Sequence, residues 1–185
     1  MRIVSIEPEE GNVIQNGQHC RTLTMLVDGR LACNTEGEGW TMCEEICAPA
    51  LIEEEALWSL EQRYKHTYTP VCEGKLIVAD RWHVMNIMLK NEVFRINLLS
   101  RLSSRLEKCI RQNQDTLANG VREKIMDFVA RSASTRNVPK KLTIKMTTLA
   151  NIIGETRLNV SRTLHQMQED GILEMGREQI TILKL

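Results

Sequence analysis

Residues 149–164, Leu-Ala-Asn-Ile-Ile-Gly-Glu-Thr-Arg-Leu-Asn-Val-Ser-Arg-Thr-Leu, restrict the folds open to this 185-residue chain more than any other stretch. Leu149, Ala150 and Ile153 share one helical face, and Val160 and Leu164 share another, at the spacing of buried stripes. Between them Gly154 is free to take the left-handed conformation that ends a helix, and Thr156 suits the N-cap of the next. Ala150 is small enough for two helices to cross closely. The pattern predicts a helix-turn-helix, whose second helix is built to enter a major groove. A helical hairpin inside a globular core would carry the same buried stripes. It would have no use for the outer face of the second helix, where Arg157, Leu158, Ser161 and Arg162 recur without acidic partners on that face. Such a face suits base edges and phosphates.

Net charge is zero, which by itself argues against a nucleic-acid binder, but the charge is unevenly spread. Residues 1–115 hold 13 Lys+Arg and 17 Asp+Glu, whereas residues 116–185 hold 11 and 7. An acidic first part and a basic second part fit a sensor joined to a DNA-binding domain. With 42% hydrophobic and 26% charged residues, wholesale disorder is excluded. No apolar run approaches the ~18 residues needed to span a bilayer, and the N-terminus lacks the apolar core of a signal peptide. The cytoplasm is therefore the expected location, with the six cysteines reduced and none in a Cys-x-x-Cys pair.

From Arg2 to about Val78, short apolar stretches alternate with turn signals. Ile3-Val4, Val13-Ile14, residues 23–27, 31–33, 40–42, Ile46 and residues 76–78 read as strands. Asn16-Gly17, Asp28-Gly29 and residues 36–39 read as turns. Strands at this spacing predict a small antiparallel barrel or roll. Residues 51–60 read as a helical turn or two, rich in Glu53, Glu54 and Glu55. Residues 64–68, Tyr-x-His-x-Tyr, read as one face of a strand. From about Asp80 to Gln112 the pattern is helical, with a short break at Lys90-Asn91. Val93, Ile96, Leu99, Leu102, Leu106 and Cys109 then form the apolar seam of a two-stranded coiled coil. A stripe that merely packs on the roll would look the same. Cys109 beside the seam would face its twin across a two-fold axis, where a disulfide is a testable expectation.

Gln112-Asn113-Gln114-Asp115 is polar and sets a domain boundary near residue 115. Beyond it, Val121, Ile125, Phe128 and Val129 form the inner face of a helix, residues 132–141 a loop, and residues 142–144 a short strand. Thr147 is placed to cap the first helix of the motif. Residues 172–175 and 179–183 alternate around Gly176-Arg177 as a β-hairpin wing.

In the segments Gly11-Asn12-Val13-Ile14-Gln15-Asn16-Gly17 and Leu23-Thr24-Met25-Leu26-Val27-Asp28-Gly29-Arg30-Leu31, the chain resembles the cyclic-nucleotide-binding roll of the Crp/Fnr transcription regulators. The resemblance is sharper in "Leu-Ala-x-x-Ile-Gly-x-Thr-Arg-x-x-Val-Ser-Arg-x-Leu" followed by Gly-Ile-Leu and a Gly-Arg hairpin. It implies an α+β chain: a β-roll sensor (a cNMP-binding-like double-stranded β-helix) over 1–80, a long dimerisation and hinge helix over 81–115, and a winged helix-turn-helix over 116–185. It further implies a bacterial homodimer on a two-fold symmetric operator, with RNA polymerase as a further partner. Carried over, Arg157, Leu158 and Ser161 would face bases and Arg162 a base or phosphate. Asn159 lies beside them, and Thr147, Thr148, Thr156 and Lys145 would serve phosphates.

Two departures stand out. The family has Glu where Leu158 stands, and that Glu accepts from a cytosine amine; Leu158 suits a thymine methyl instead. In the family's phosphate cassette a Gly-Glu pair precedes an Arg-Ser or Arg-Thr pair. Here Gly-Glu falls on Glu53-Glu54 and Arg-Ser on Tyr64-Lys65, so three successive carboxylates meet where a phosphate would sit. Lys65 or Arg63 lacks the fork geometry of the missing arginine. Cyclic AMP is therefore not expected. Glu54, Arg63, Tyr64, Lys65 and His66 mark the effector pocket, its ligand unidentified. The cysteine cluster that the family's iron-sulfur members carry near the N-terminus has no counterpart in this sequence. His19-Cys20, His66, Cys43 and Cys47 read better as packed or sheet residues than as haem, cluster or metal ligands. No P-loop, Rossmann glycines, zincin motif or nucleophile elbow is present, which argues against an enzyme. A second reading keeps the β-roll as a small-molecule-binding or interaction module whose helix-turn-helix contacts protein rather than DNA.

Overall fold

A computed structural model describes residues 1–114, 120–135 and 138–184, without the side chains of 108 and 111–114. Its strands and helices run β1 (Arg2–Ile6), β2 (Thr22–Asp28), β3 (Arg30–Gly37), β4 (Trp40–Cys47), β5 (Ala50–Ile52), β6 (Thr67–Pro70), β7 (Gly74–Asp80), α1 (Arg81–Lys90), α2 (Glu92–Gln114), α3 (Val121–Ser132), β8 (Lys140–Ile144), α4 (Met146–Ile153), α5 (Arg157–Glu169), β9 (Leu173–Gly176) and β10 (Gln179–Ile182). They fall into two units: residues 1–32 with 46–109, and residues 33–45 with 110–185.

In the first unit an antiparallel sheet runs β1-β7-β2-β5. Leu23 and Leu26 of β2 and Leu76 and Ala79 of β7 are buried together with Ile6, Ile52, Tyr68 and Leu98. The turn after β2 depends on Gly29, at φ +89°, where a Cβ would lie 2.7 Å from the Glu73 carbonyl oxygen. Two turns thus touch backbone to backbone, a proximity only glycine permits.

Three expectations for this unit need correction. Val13-Ile14 makes an isolated bridge from Ile14 to Tyr68 rather than a strand. Strand β6 begins at Thr67, so Tyr64 and His66 lie on its approach. Residues 51–60 are the end of β5 followed by single turns, in which Ala56 donates to the Glu53 carbonyl and Trp58 to that of Glu55. Glu53 sits at φ +41°, a left-handed backbone that a right-handed helix cannot include.

Between α1 and α2 the break falls at Asn91, whose side chain accepts from the Phe94 N–H at 2.9 Å. Leu98 on α2 is buried, while Val93, Ile96, Leu99 and Leu106 are exposed. The stripe that packs in this unit is therefore not the stripe expected to form a seam. The expected helix end at 112–115 runs past the described residues at Asp115, and Arg136 and Asn137 of the following loop also lie outside them.

In the second unit Ile125, Phe128 and Val129 of α3 pack with Leu149, Ala150, Val160, Leu164 and Met167 in one apolar core. Wing strand β10 pairs with β9, Ile180 opposite Met175 and Ile182 opposite Leu173, and on its other side with β8. The free edge of β8 is taken by β4, with Trp40 opposite Ile144, Met42 opposite Leu142 and Glu44 opposite Lys140. From β3 onward the sheet order is β3-β4-β8-β10-β9. Residues 33–45, which the sequence reading places in the first domain, thus belong to the unit that contains the helix-turn-helix.

Candidate nucleic-acid interface and sensor pocket

Helix α4 ends at Gly154, at φ +68° and ψ +39°, where the Glu155 N–H returns to the Ala150 carbonyl at 2.9 Å. A left-handed residue closing the last turn in this way directs the chain into the next helix. Thr156, in extended conformation, then caps α5 by accepting from the Asn159 N–H at 3.2 Å. Thr147 does not cap α4: that position is Lys145, with no side-chain cap bond, and Thr147 lies one turn-step inside the helix. From α3, Lys124 pairs with Glu155 at 2.6 Å and Arg122 with Asp170 at 2.7 Å, tying both ends of α5 to its neighbour. The Lys124 ammonium holds the Glu155 carboxyl below the usual carboxylate range.

With Val160, Leu164 and Met167 fully buried, the helical period turns Arg157, Leu158 and Arg162 outward and leaves Ser161 half-buried. Leu158 is 67% exposed, unusual for a leucine at the start of a well-packed helix. Neither Arg157 nor Arg162 forms an ion pair among the described residues. Asn159 is exposed, with its N–H committed to the cap, and Thr147 and Thr148 are exposed and half-buried on α4. A cleft of about 350 Å³ opens between the first turn of α4, Arg157 and the wing, lined by Lys145, Thr147, Gly176 and Gln179.

The sheet behind this face contains a buried ion pair. Lys140 lies in phase with Leu142 and Ile144 on the inner side of β8, and Glu44 in phase with Met42 on β4, so the cross-strand register sets them opposite each other. The Lys140 ammonium donates to Glu44, which also accepts from the Ser134 N–H and from the N–H and hydroxyl of Thr135. Burial would raise the Glu44 carboxyl; the bonds from Lys140, Thr135 and Ser134 outweigh it and hold the group below its usual range. Neither residue was singled out from sequence. The signal was present in two alternations, Trp40-x-Met42-x-Glu44 and Lys140-x-Leu142-x-Ile144.

The expected effector-pocket residues do not converge. Arg63 donates to the Gly17 carbonyl at 2.7 Å. Tyr64 is buried, its hydroxyl turned to the Thr22 carbonyl at 3.4 Å, and burial with the neighbouring Cys20 pushes its phenol up to about 12. It therefore supplies no charge where the cassette has arginine. Glu53, read from the sequence as the first of three crowded carboxylates and not among the pocket residues, is the centre of the region. Its buried carboxylate accepts from the Lys65 N–H at 2.7 Å, the His66 N–H at 3.1 Å, His66 Nδ1 at 2.8 Å and the Tyr68 hydroxyl at 3.0 Å. Burial would raise its pKa; His66, the Lys65 N–H and Tyr68 together lower it. Glu54, equally buried, pairs instead with Arg101 at 2.6 Å and Arg105 at 3.3 Å on α2. No group of three or more His, Cys, Asp or Glu side chains suited to a metal ion occurs among the described residues.

Residues 123–185 match the family model of the Crp-like helix-turn-helix domain. Over nearly its whole length the chain is also similar in structure to the catabolite activator protein of Thermus thermophilus, at 17% identity, 98% of this chain, 84% of that chain and a TM-score of 0.54. The c-di-GMP responsive global regulator CLP of Xanthomonas campestris is similar at 15% identity, 100% and 94% coverage and a TM-score of 0.55. A CooA mutant from Carboxydothermus hydrogenoformans is similar at 17% identity, 100% and 84% coverage and a TM-score of 0.54. No curated protein sequence matches the chain. The chain has the Crp/Fnr fold and carries a Crp-like helix-turn-helix domain.

Proposed function

We propose that this protein is a transcription regulator that binds a two-fold symmetric operator as a homodimer, with α5 in the major groove. The observation that carries the reading is the first turn of α5. Arg157, Leu158 and Arg162 are exposed together, the arginines without ion-pair partners among the described residues, on a helix fixed by a capped turn. Arginine is the commonest specific reader of guanine, and a leucine there favours a thymine methyl. The cleft rimmed by Lys145 and Thr147 gives the flanking phosphates a place to lie. The exposed seam of Val93, Ile96, Leu99 and Leu106 supports the dimer. Among the described residues no helix is long and apolar enough to cross a membrane.

Selection from random DNA followed by binding titrations tests this. Wild type should select inverted repeats, with affinity falling steeply as salt rises. An Arg157→Ala, Arg162→Ala protein should lose about 1–3 kcal/mol for each base-reading arginine. If that variant bound the selected DNA as tightly as wild type, the helix-turn-helix would be a protein-contact element instead.

A further inference from the structure

Four donors converge on one buried carboxylate in the first unit. The N–H groups of Lys65 and His66, the His66 ring and the Tyr68 hydroxyl all point at Glu53, which is only 3% exposed. Two consecutive backbone N–H groups reinforced by two side-chain donors make a cradle for a small anion. Its occupant is part of the same chain. To bring the carboxylate there, the backbone at Glu53 takes φ +41°, a left-handed conformation that a residue with a side chain adopts less readily than glycine. The next residue points the other way: Glu54 accepts from Arg101 and Arg105 of α2, and Arg105 also reaches Glu55 at 3.0 Å. Consecutive residues thus join the cradle to the helix that carries the exposed seam.

We propose that the sensor unit is self-liganded. The Glu53 carboxylate acts as an anionic ligand supplied in cis, and Glu54 transmits the filled state to α2 through Arg101. While Glu53 is in place, a diffusible anion of carboxylate or phosphate class is neither needed nor admitted. The chain then binds its operator without an anionic effector, which deepens the DNA-binding reading and rests on it.

The test uses the full chain, with Glu53→Ala, Glu53→Gly and Arg101→Ala variants, each checked for fold by circular dichroism. Operator affinity and thermal unfolding are measured in sodium acetate and in sodium chloride at equal ionic strength. Emptying the cradle should weaken operator binding by about tenfold, within the range of ordinary intramolecular couplings. Acetate should restore most of the loss, and chloride should not. Glu53→Gly, which relieves the left-handed backbone, should behave as Glu53→Ala does. Arg101→Ala should lose affinity that acetate does not restore, because its cradle is still filled. The proposal is overturned if folded Glu53→Ala and Glu53→Gly bind operator as tightly as wild type, or if acetate does no more than chloride. Should wild type bind no DNA at all, the DNA-binding reading fails separately. Acetate-specific thermal stabilisation of Glu53→Ala would still report an anion cradle.

Discussion

At the residue scale, two positions that break the family pattern turn out to be opposite in character. Leu158 lies open to solvent, and on the DNA-binding reading proposed above its consequence would be for recognition. Leu158→Glu should shift preference at one base pair toward cytosine by about 1–3 kcal/mol, measured by competition between operators differing at that pair. No change in preference would mean that the side chain does not reach a base. Glu53 is buried, and on the self-liganded reading its consequence would be for the first unit. Both departures were visible in sequence, but only Leu158 was legible there, because exposure follows from helical period. The meaning of Glu53 depends on donors from residues 65–68, which a turn and not a period brings to it. For the same reason Arg63 and Tyr64 looked like pocket residues and are committed to the Gly17 and Thr22 carbonyls.

At the scale of elements, the two-helix unit and the wing followed from the sequence, since α4 and α5 carry buried stripes of one period and are followed by Gly154 and Gly171. The break at Asn91 followed as well. The partner of β8 did not follow, because strand pairing is a long-range choice and the alternation says only which face is buried. Glu44→Ala should destabilise the protein by about 3–5 kcal/mol, since it strands the buried Lys140 ammonium. Urea unfolding measures this, and Glu44→Ala with Lys140→Met should recover much of the loss. The pH dependence has a definite sign. Because the folded Glu44 carboxyl is held below its unfolded value, its contribution is complete at neutral pH. That contribution disappears as pH falls below about 4.3 through the folded pKa. The stability gap between wild type and Glu44→Gln should therefore be widest near neutrality and close on acidification; a gap independent of pH would show the pair to be uncoupled from folding. Along α2, Ile96→Asp with Leu99→Asp should convert a dimer to monomers in analytical ultracentrifugation. An unchanged sedimentation coefficient would remove the seam from the assembly.

At the scale of the whole molecule, the charge asymmetry is a property of the sequence itself, whereas the membership of residues 33–45 in the unit of the helix-turn-helix was not legible there. The C-terminal segment alone is an incomplete unit, because β8 would be left with a bare edge where β4 belongs. A fragment of residues 110–185 should be much less stable than the same unit in the full chain. Joining residues 33–45 to it through a flexible linker should restore cooperative thermal unfolding. A fragment as stable as the intact unit would show that β4 adds nothing.

The pairing of β4 with β8 also sets an order of events during synthesis. Glu44 and Lys140 are 96 residues apart in sequence, so the outer part of the β3–β4 hairpin leaves the ribosome long before its partner strand exists. Until then an edge with an inward-facing carboxylate is exposed, and that charge discourages pairing with a neighbouring nascent chain. The residue that later becomes the centre of a buried ion pair would thus act first as a guard against aggregation, and the unit of the helix-turn-helix is completed only when the C-terminal part of the chain, with β8, arrives.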